Sequence, residues 1–154
     1  MKHYTFFSKP TSILFVCAGN TCRSPMAEAI AKKWLEVNGK TCFVSSAGVE
    51  AVPGWFAAQN AQELCSPYLD EHESKQVSDE LLSQFDLVFV MMPGHFHGLI
   101  SMFPRDAHKI FPIALDARPI DDPFGGDLAE YSRVYSILEE HVHFRMQEVF
   151  LGRR

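Results

Sequence analysis

The hydrophobic pattern changes its period between residues 13 and 24, and this change limits the possible folds more than any other feature. Residues 13–16, Ile-Leu-Phe-Val, form a continuous apolar run, which is typical of a strand buried on both faces of a parallel sheet. From Ser24, the predicted N-cap, through Pro25 at the first helical position, apolar residues recur at helical spacing until Asn38-Gly39. A strand, a tight loop and a helix open a βαβ unit.

The same alternation continues along the chain. Further strands are predicted over residues 43–46, 87–91 and 109–112, and helices over 57–64, 78–85, 95–103 and 127–150. The last helix is predicted to bury one face, formed by Leu128, Tyr131, Val134, Tyr135 and Leu138. Alternating elements predict an α/β fold, a doubly wound four-stranded parallel sheet flanked by helices. We expect residues 12–154 to form a single domain and residues 1–11 to form an N-terminal extension.

Composition excludes several classes of partner. The 14 basic and 19 acidic residues give a net charge of -5 without any basic block, which argues against nucleic acid or an anionic membrane as the main partner. No apolar run reaches the roughly 18 residues of a membrane span. Polar residues 8–12 make the start a poor signal peptide. The four cysteines could form two disulfides, but a chain of this length and apolar content does not need them for stability, which favours a reducing setting. We therefore expect a soluble cytoplasmic protein.

The first strand-to-helix loop, in the stretch VCAGNTCRSP, is suited to bind an anion. Gly19 allows close backbone approach and Asn20 tolerates left-handed geometry, so that Ala18–Arg23 can curl into a nest of amides. Cys17 lies at the base of this nest, where the helix dipole, the amides and Arg23 favour its thiolate. A planar Arg23 guanidinium can grip two oxygens of a tetrahedral anion, and Ser24 can hydrogen-bond the thiolate. A metal site would require more ligands, since no C-x2-C pair is present.

The stretch VCAGNTCRSPMAEA resembles the signature of the low-molecular-weight protein tyrosine phosphatases, V-C-x-G-N-x-C-R-S-P-x-A-E. The resemblance continues through SSAG at residues 45–48, HESKQ at 72–76, FDLVFVM at 85–91 and DPFGGDLAEY at 122–131. It covers roughly residues 12–145. It implies a phosphatase that acts on phosphorylated proteins without metal or organic cofactor, as a monomer or weak dimer.

The resemblance also implies roles for individual residues. Cys17 would be the nucleophile that forms a cysteinyl-phosphate, Arg23 the phosphate clamp and Ser24 the group that stabilises the thiolate. The loop from Ala18 to Cys22 would bind the phosphate. Three further residues would brace this loop through hydrogen bonds: Asn20, Ser46 and His72.

Breaking a phosphomonoester also requires a proton for the leaving oxygen. Pro123 restricts the residue before it to an extended backbone, and the resemblance assigns the general acid to that residue, Asp122. Asp121 is the alternative. Phe124 matches an aromatic wall of the family's substrate slot, and Gly125 indicates the bacterial type. In VEAVPGWF the residues depart from the family pattern, so that Val52, Trp55 and Phe56 all remain candidates for the opposite wall, with Trp55 preferred.

Two loop residues raise further questions. Cys22 lies five residues beyond Cys17, so that a reversible disulfide between them would protect Cys17 from irreversible oxidation. Thr21 stands where many tyrosine-specific relatives carry an aliphatic residue, and threonine resembles the branch that acts on phosphoarginine. We therefore expect a phosphotyrosine phosphatase, with a phosphoarginine phosphatase as the first alternative. A thiol-dependent arsenate reductase and a non-catalytic phosphate-binding module are the others.

Overall fold

A computed structural model describes residues 9–152 and contains one four-stranded parallel sheet in the order β2-β1-β3-β4. The strands are β1 (Ser12–Cys17), β2 (Phe43–Gly48), β3 (Leu87–Val90) and β4 (Ile110–Pro112). Phe15 of β1 pairs with Ser46 of β2 on one side and with Phe89 of β3 on the other. Because the chain leaves β1 with neighbours on both sides, the loop that follows Cys17 lies at the switch point of the sheet, where ligands of open α/β folds bind.

Within residues 9–152, five α-helices join or follow the strands. They are α1 (Arg23–Asn38), α2 (Gln59–Cys65), α3 (Asp79–Ser83), α4 (Pro93–Met102) and α5 (Leu128–Leu151), and a 3-10 turn over Ala107–Lys109 precedes β4. The side chains of Ser78 and Asp127 cap α3 and α5 by accepting hydrogen bonds from the first-turn amides of Leu81 and Glu130. The predicted elements are all present, and their ends differ from the expected ones by a few residues.

The side chains of β1 alternate between two hydrophobic clusters. Ile13 and Phe15 pack against α1, α2 and α5, whereas Leu14 and Val16 pack against α3 and α4. Helices therefore cover both faces of the sheet, and the predicted doubly wound α/β architecture is confirmed. All four residues are fully buried, which explains why the run in the sequence is continuously apolar.

Two local predictions are wrong. Ser24 is not an N-cap, because α1 begins at Arg23 after Cys22, and the Ser24 hydroxyl points into the loop instead of capping the helix. Leu128 is 38% exposed, because it is the first residue of α5 and lies beyond the stretch that packs on the core. Tyr131, Val134 and Leu138 are buried as expected, and Tyr135 is half-buried.

The predicted extension of residues 1–11 lies mostly outside the described residues and stays a prediction. Where the description begins, Pro10 is buried, and the amide and hydroxyl of Thr11 both donate to the Asp86 carboxylate, at 2.8 and 2.9 Å. Within residues 9–152, none of the helices combines the length and the apolar character needed to cross a bilayer.

Candidate active site

The carbonyl groups of the loop between β1 and α1 are turned outward and are held there by neighbouring segments. The carbonyls of Cys17, Ala18, Asn20 and Thr21 accept hydrogen bonds from Val49 N, Glu50 N, His72 Nε2 and Ala58 N, at 3.0, 2.9, 2.8 and 2.8 Å respectively. In a planar trans peptide the N–H points away from the C=O. The amides that follow these carbonyls therefore face inward, and they form the predicted nest above Cys17.

Asn20 fixes the curvature of the nest. Its φ of 59° is left-handed, and its buried side-chain amide donates to Ser24 Oγ at 2.9 Å and to Ser46 Oγ at 3.0 Å. Its side-chain oxygen accepts from Lys75 N at 3.0 Å. His72 donates to the Asn20 carbonyl, so its Nε2 must carry the proton. The structure thus brings the three predicted bracing residues, Asn20, Ser46 and His72, together beneath the loop.

A hydrogen-bonded path connects Cys17 to a buried carboxylate. Cys17 Sγ lies 2.9 Å from Ser24 Oγ, which Asn20 links to Ser46, and Ser46 Oγ donates to Glu28 Oε1 at 2.9 Å. Glu28 also pairs with Lys32 at 2.8 Å. Glu28 is the last residue of the signature quoted above, but the sequence alone assigned it no role. Its position five residues after Arg23, on a helix that starts directly at the loop, was the available signal.

Arg23 is positioned as an anion clamp. It is 4% exposed, its Nη1 donates to the Ile120 carbonyl at 3.0 Å, and its Nη2 lies 3.4 Å from Asp122 Oδ2. Its Nε is buried and has no hydrogen-bond partner among the described residues. A buried donor without a partner costs free energy unless a ligand supplies an acceptor. The guanidinium is therefore held with a donor available to a bound oxyanion.

The two candidate acids face different partners. Asp122 lines the same pocket as Cys17, and its Oδ1 accepts from Phe124 N at 3.1 Å, which orients the carboxylate. Asp121 pairs with Arg133 of α5 at 3.1 Å and does not line that pocket. The geometry separates the two carboxylates and favours Asp122 as the one that reaches a reacting group.

The pocket above the loop has a volume of about 250 Å³. It is lined by Cys17, Ala18, Gly19, Thr21, Cys22, Arg23, Glu50, Val52, Trp55, Asp122 and Phe124. Trp55 and Phe124 are 55% and 70% exposed, so they form a rim rather than part of the core. Val52 lines the pocket as well, whereas Phe56 does not. Glu50 was not anticipated from the sequence.

Ser74 holds the wall segment that carries Trp55. Its hydroxyl accepts from Trp55 N at 2.9 Å and donates to the Val52 carbonyl, while its own amide donates to the Trp55 carbonyl at 2.7 Å. Ser74 lies two residues beyond His72, so one short segment supports both the loop and the wall. Ser74 lies within the stretch HESKQ, but nothing in the local sequence pattern indicates its role.

Cys22 has a partner that the sequence did not reveal. Its Sγ lies 3.1 Å from the Tyr131 hydroxyl of α5. Burial raises the pKa of the Cys22 thiol, and burial together with the nearby thiol raises the pKa of Tyr131. Both groups are therefore protonated at neutral pH. In residues 9–152 no three histidine, cysteine or acidic side chains are grouped as metal ligands would be.

Comparison with known proteins agrees with this geometry. The family model described as low molecular weight phosphotyrosine protein phosphatase matches residues 12–150. A protein-arginine-phosphatase of Bacillus subtilis (strain 168) is 39% identical over 134 residues, covering 83% of this chain and 89% of the relative. The low molecular weight protein-tyrosine-phosphatase PtpB of Staphylococcus epidermidis is 36% identical over 130 residues, covering 80% and 88%.

Among solved structures, the YwlE arginine phosphatase of Bacillus subtilis, captured as a mutant with a phosphorylated active-site serine, superimposes with a TM-score of 0.82. It is 36% identical, and the match covers 89% of this chain and 95% of that one. The fold, the C-x5-R loop and these matches define a cysteine-dependent phosphatase. The chain belongs to the low molecular weight phosphotyrosine protein phosphatase family.

Proposed function

We propose that this chain hydrolyses phosphorylated side chains of proteins, with Cys17 as nucleophile, Arg23 as phosphate clamp and Asp122 as general acid and base. The observation that carries the proposal is the pocket itself. It joins Cys17 at the floor, Arg23 with a donor available and Asp122 3.4 Å from Arg23.

The reaction takes place in two displacements. The Cys17 thiolate attacks phosphorus, the bond from phosphorus to the leaving group breaks, and protonated Asp122 gives its proton to that group. Asp122, now a carboxylate, takes a proton from water, whose oxygen attacks the cysteinyl-phosphate. Inorganic phosphate leaves and the thiolate is restored. Arg23 and the inward amides stabilise the charge on the equatorial oxygens in both steps.

Hydrolysis of p-nitrophenyl phosphate in the presence of a chelator tests the proposal. We expect hydrolysis by the parent and its loss in Cys17→Ser. Persistent hydrolysis in Cys17→Ser would contradict the proposed nucleophile. A thioredoxin-coupled arsenate assay tests the reductase alternative, which would require relay cysteines beyond β3. The sequence has no cysteine after Cys65, so we expect no arsenate turnover.

Phosphotyrosine is the first candidate substrate. Trp55 and Phe124 expose their rings on the rim of the pocket, where they can contact an aromatic side chain above the phosphoryl group. The Staphylococcus relative, named as a protein-tyrosine-phosphatase, supports the same choice.

Phosphoarginine is the second candidate, because Thr21 lines the pocket and the Bacillus subtilis relative is named a protein-arginine-phosphatase. A threonine hydroxyl can hydrogen-bond a guanidinium nitrogen, which an aliphatic side chain cannot do. The test compares phosphotyrosine and phosphoarginine peptides in the parent and in Thr21→Ile. If phosphoarginine is the substrate, Thr21→Ile lowers kcat/KM for that peptide roughly tenfold or more, as expected for a lost hydrogen bond to a charged group.

We further propose that the protein works in the cytoplasm as a monomer or weak dimer. All four cysteines are free thiols, which is typical of a reducing compartment.

A further inference from the structure

Glu50 places a carboxylate on the wall of the pocket, at a site otherwise built to receive an anion. Its backbone amide donates to the Ala18 carbonyl at 2.9 Å, which fixes the residue against the phosphate-binding loop. Its side chain lines the pocket together with Thr21 and Trp55. Among residues 9–152, none forms a hydrogen bond or a close ion pair with this carboxylate.

The charges of the pocket do not balance when a phosphoryl group is bound. Arg23 is the only lysine or arginine among the described lining residues, and its guanidinium would already be paired with the phosphoryl oxygens. Glu50, an exposed residue on the wall of the same pocket, then adds a negative charge near the dianion, and no other lysine or arginine in residues 9–152 lines the pocket to offset it. Such an arrangement disfavours a substrate whose phosphoryl carrier is neutral.

His95 of α4 does not compensate for Glu50. It is close enough to interact electrostatically with both Glu50 and Arg23, and its Nδ1 is buried without a hydrogen-bond partner in the described part of the chain. Burial and the Arg23 charge lower the pKa of His95, so it is neutral at physiological pH. The lining residues therefore offer no second cation, and a positively charged substrate can supply one.

We propose that Glu50 is a specificity-determining residue that recognises a positive charge directly beside the phosphoryl group, as in the guanidinium of phosphoarginine. This inference rests on the proposed function and chooses between its two candidate substrates. In phosphoarginine the guanidinium carries both the phosphoryl group and a positive charge, and its remaining N–H groups can donate to a carboxylate on the wall. Glu50 and Thr21 would contact the same guanidinium from neighbouring positions.

The test uses three peptides of equal length: one with phosphoarginine, one with phosphotyrosine between neutral residues, and one with phosphotyrosine beside an arginine. kcat/KM is measured for the parent, Glu50→Gln, Glu50→Lys and Glu80→Gln. Glu80 is the control, an exposed glutamate of α3 that does not line this pocket. We expect Glu50→Gln to lower kcat/KM for phosphoarginine by about 10- to 100-fold, as for a lost charged hydrogen bond.

For phosphotyrosine between neutral residues, we expect Glu50→Gln to raise kcat/KM by about twofold to fivefold, since repulsion is removed, and Glu50→Lys to raise it further. Equal losses on all three peptides, no change on any, or a loss confined to the arginine-flanked peptide would overturn the inference. Failure of the proposed function has a different signature, because Cys17→Ser would then retain p-nitrophenyl phosphate hydrolysis.

Discussion

Cys17 and Cys22 line the same pocket, but their surroundings differ. Cys17 Sγ lies 2.9 Å from Ser24 Oγ beneath the inward amides of the loop. Cys22 Sγ meets a tyrosine hydroxyl at 3.1 Å, and burial raises its pKa. The two sulfurs are therefore suited to different tasks: Cys17 to attack on phosphorus, and Cys22 to a supporting role that does not require a thiolate in the resting enzyme.

We propose that Cys22 protects Cys17 from over-oxidation by forming a reversible disulfide. After brief peroxide treatment and then a thiol reductant, the parent should regain most of its activity, whereas Cys22→Ser should regain only a small fraction. Recovery is measured by p-nitrophenyl phosphate hydrolysis, with Cys65→Ser as control. Cys65 is a suitable control because it is a buried cysteine of α2 that does not line the pocket shared by Cys17 and Cys22. Equal recovery in Cys22→Ser would refute the protective role.

The neighbouring carboxylates Asp121 and Asp122 should contribute unequally to catalysis. Asp122→Asn removes the proton donor and should lower kcat by roughly 10² to 10⁴ fold. Asp121→Asn removes an exposed ion pair with Arg133 and should change kcat far less. Steady-state kinetics with one substrate measures both. The opposite ranking would move the general acid to Asp121.

At the residue scale, the sequence revealed the groups that share one short motif and missed those that distant segments bring to the site. Cys17, Arg23 and Ser24 were identified because they lie within eight consecutive residues. Tyr131, Ser74 and Glu50 were missed because their roles arise only when α5 and the segments after β2 fold against the loop. No local pattern encodes these contacts.

The junction of β2 with the phosphate-binding loop depends on the absence of one side chain. A Cβ atom at Gly48 would lie 2.3 Å from the Ala18 carbonyl oxygen and 3.0 Å from Asn20 N. The Gly48 amide donates to Lys75 O at 2.9 Å, so the strand end has little room to move. Gly48 thus lets β2 approach the loop closely enough to hold its carbonyls outward.

Gly48→Ala should therefore damage the site more than the fold. We expect kcat/KM for p-nitrophenyl phosphate to fall at least about 100-fold, since a shift of about 1 Å in a catalytic group has that effect. Gly98→Ala is the matched control, because a Cβ there meets nothing within 4 Å. Because Gly98 lies in the middle of α4, Gly98→Ala should raise the free energy of unfolding by about 0.5–1 kcal/mol and leave the activity unchanged. Comparable activity losses in both variants would contradict this account.

At the element scale, each strand and helix could be predicted from the period of the hydrophobic pattern and from the turn and capping residues at its ends. The start of α1 could not. Ser24 followed by Pro25 is a normal helix start, and it predicted the wrong cap. The loop curls so tightly around Asn20 that the helix begins two residues earlier, at Arg23, and Ser24 contacts Cys17 instead. Local propensity was overridden by the geometry needed to bind an anion.

On the scale of the molecule, α5 is fastened to the edge of the sheet by a buried arginine. Arg145 is 1% exposed, donates to the carbonyls of Pro112 and Ile113 at the end of β4, and pairs with Glu148 at 3.1 Å. Its guanidinium also lies 5.2 Å from the centre of the Phe89 ring. The edge strand, the central strand β3 and the last helix are thereby joined.

Removal of this arginine should destabilise the whole fold. Arg145→Met should lower the free energy of unfolding by about 3–5 kcal/mol, because it leaves the Glu148 carboxylate buried without its partner. The double variant Arg145→Met with Glu148→Leu should recover part of that loss. Urea denaturation measures both. A double variant no more stable than the single one would show that the carbonyl contacts, rather than the ion pair, carry the effect.

The doubly wound parallel architecture of the molecule was predictable because alternating strands and helices with short connections allow few topologies. The shape of the pocket was not. Its opposite wall departs from the family pattern over VEAVPGWF, and the position of Trp55 depends on hydrogen bonds to Ser74, which lies 19 residues further along the chain.

The segment from His72 to Ser74 supports two parts of the pocket, and this has an evolutionary consequence. His72 supports the part of the pocket that performs the chemistry, whereas Ser74 supports the part that meets the substrate. The side chains of Glu50, Val52 and Trp55 can therefore be exchanged while the hydrogen bonds that shape the catalytic loop are kept. One ancestral enzyme can in this way give rise to descendants that share a reaction and differ in the amino acid they dephosphorylate.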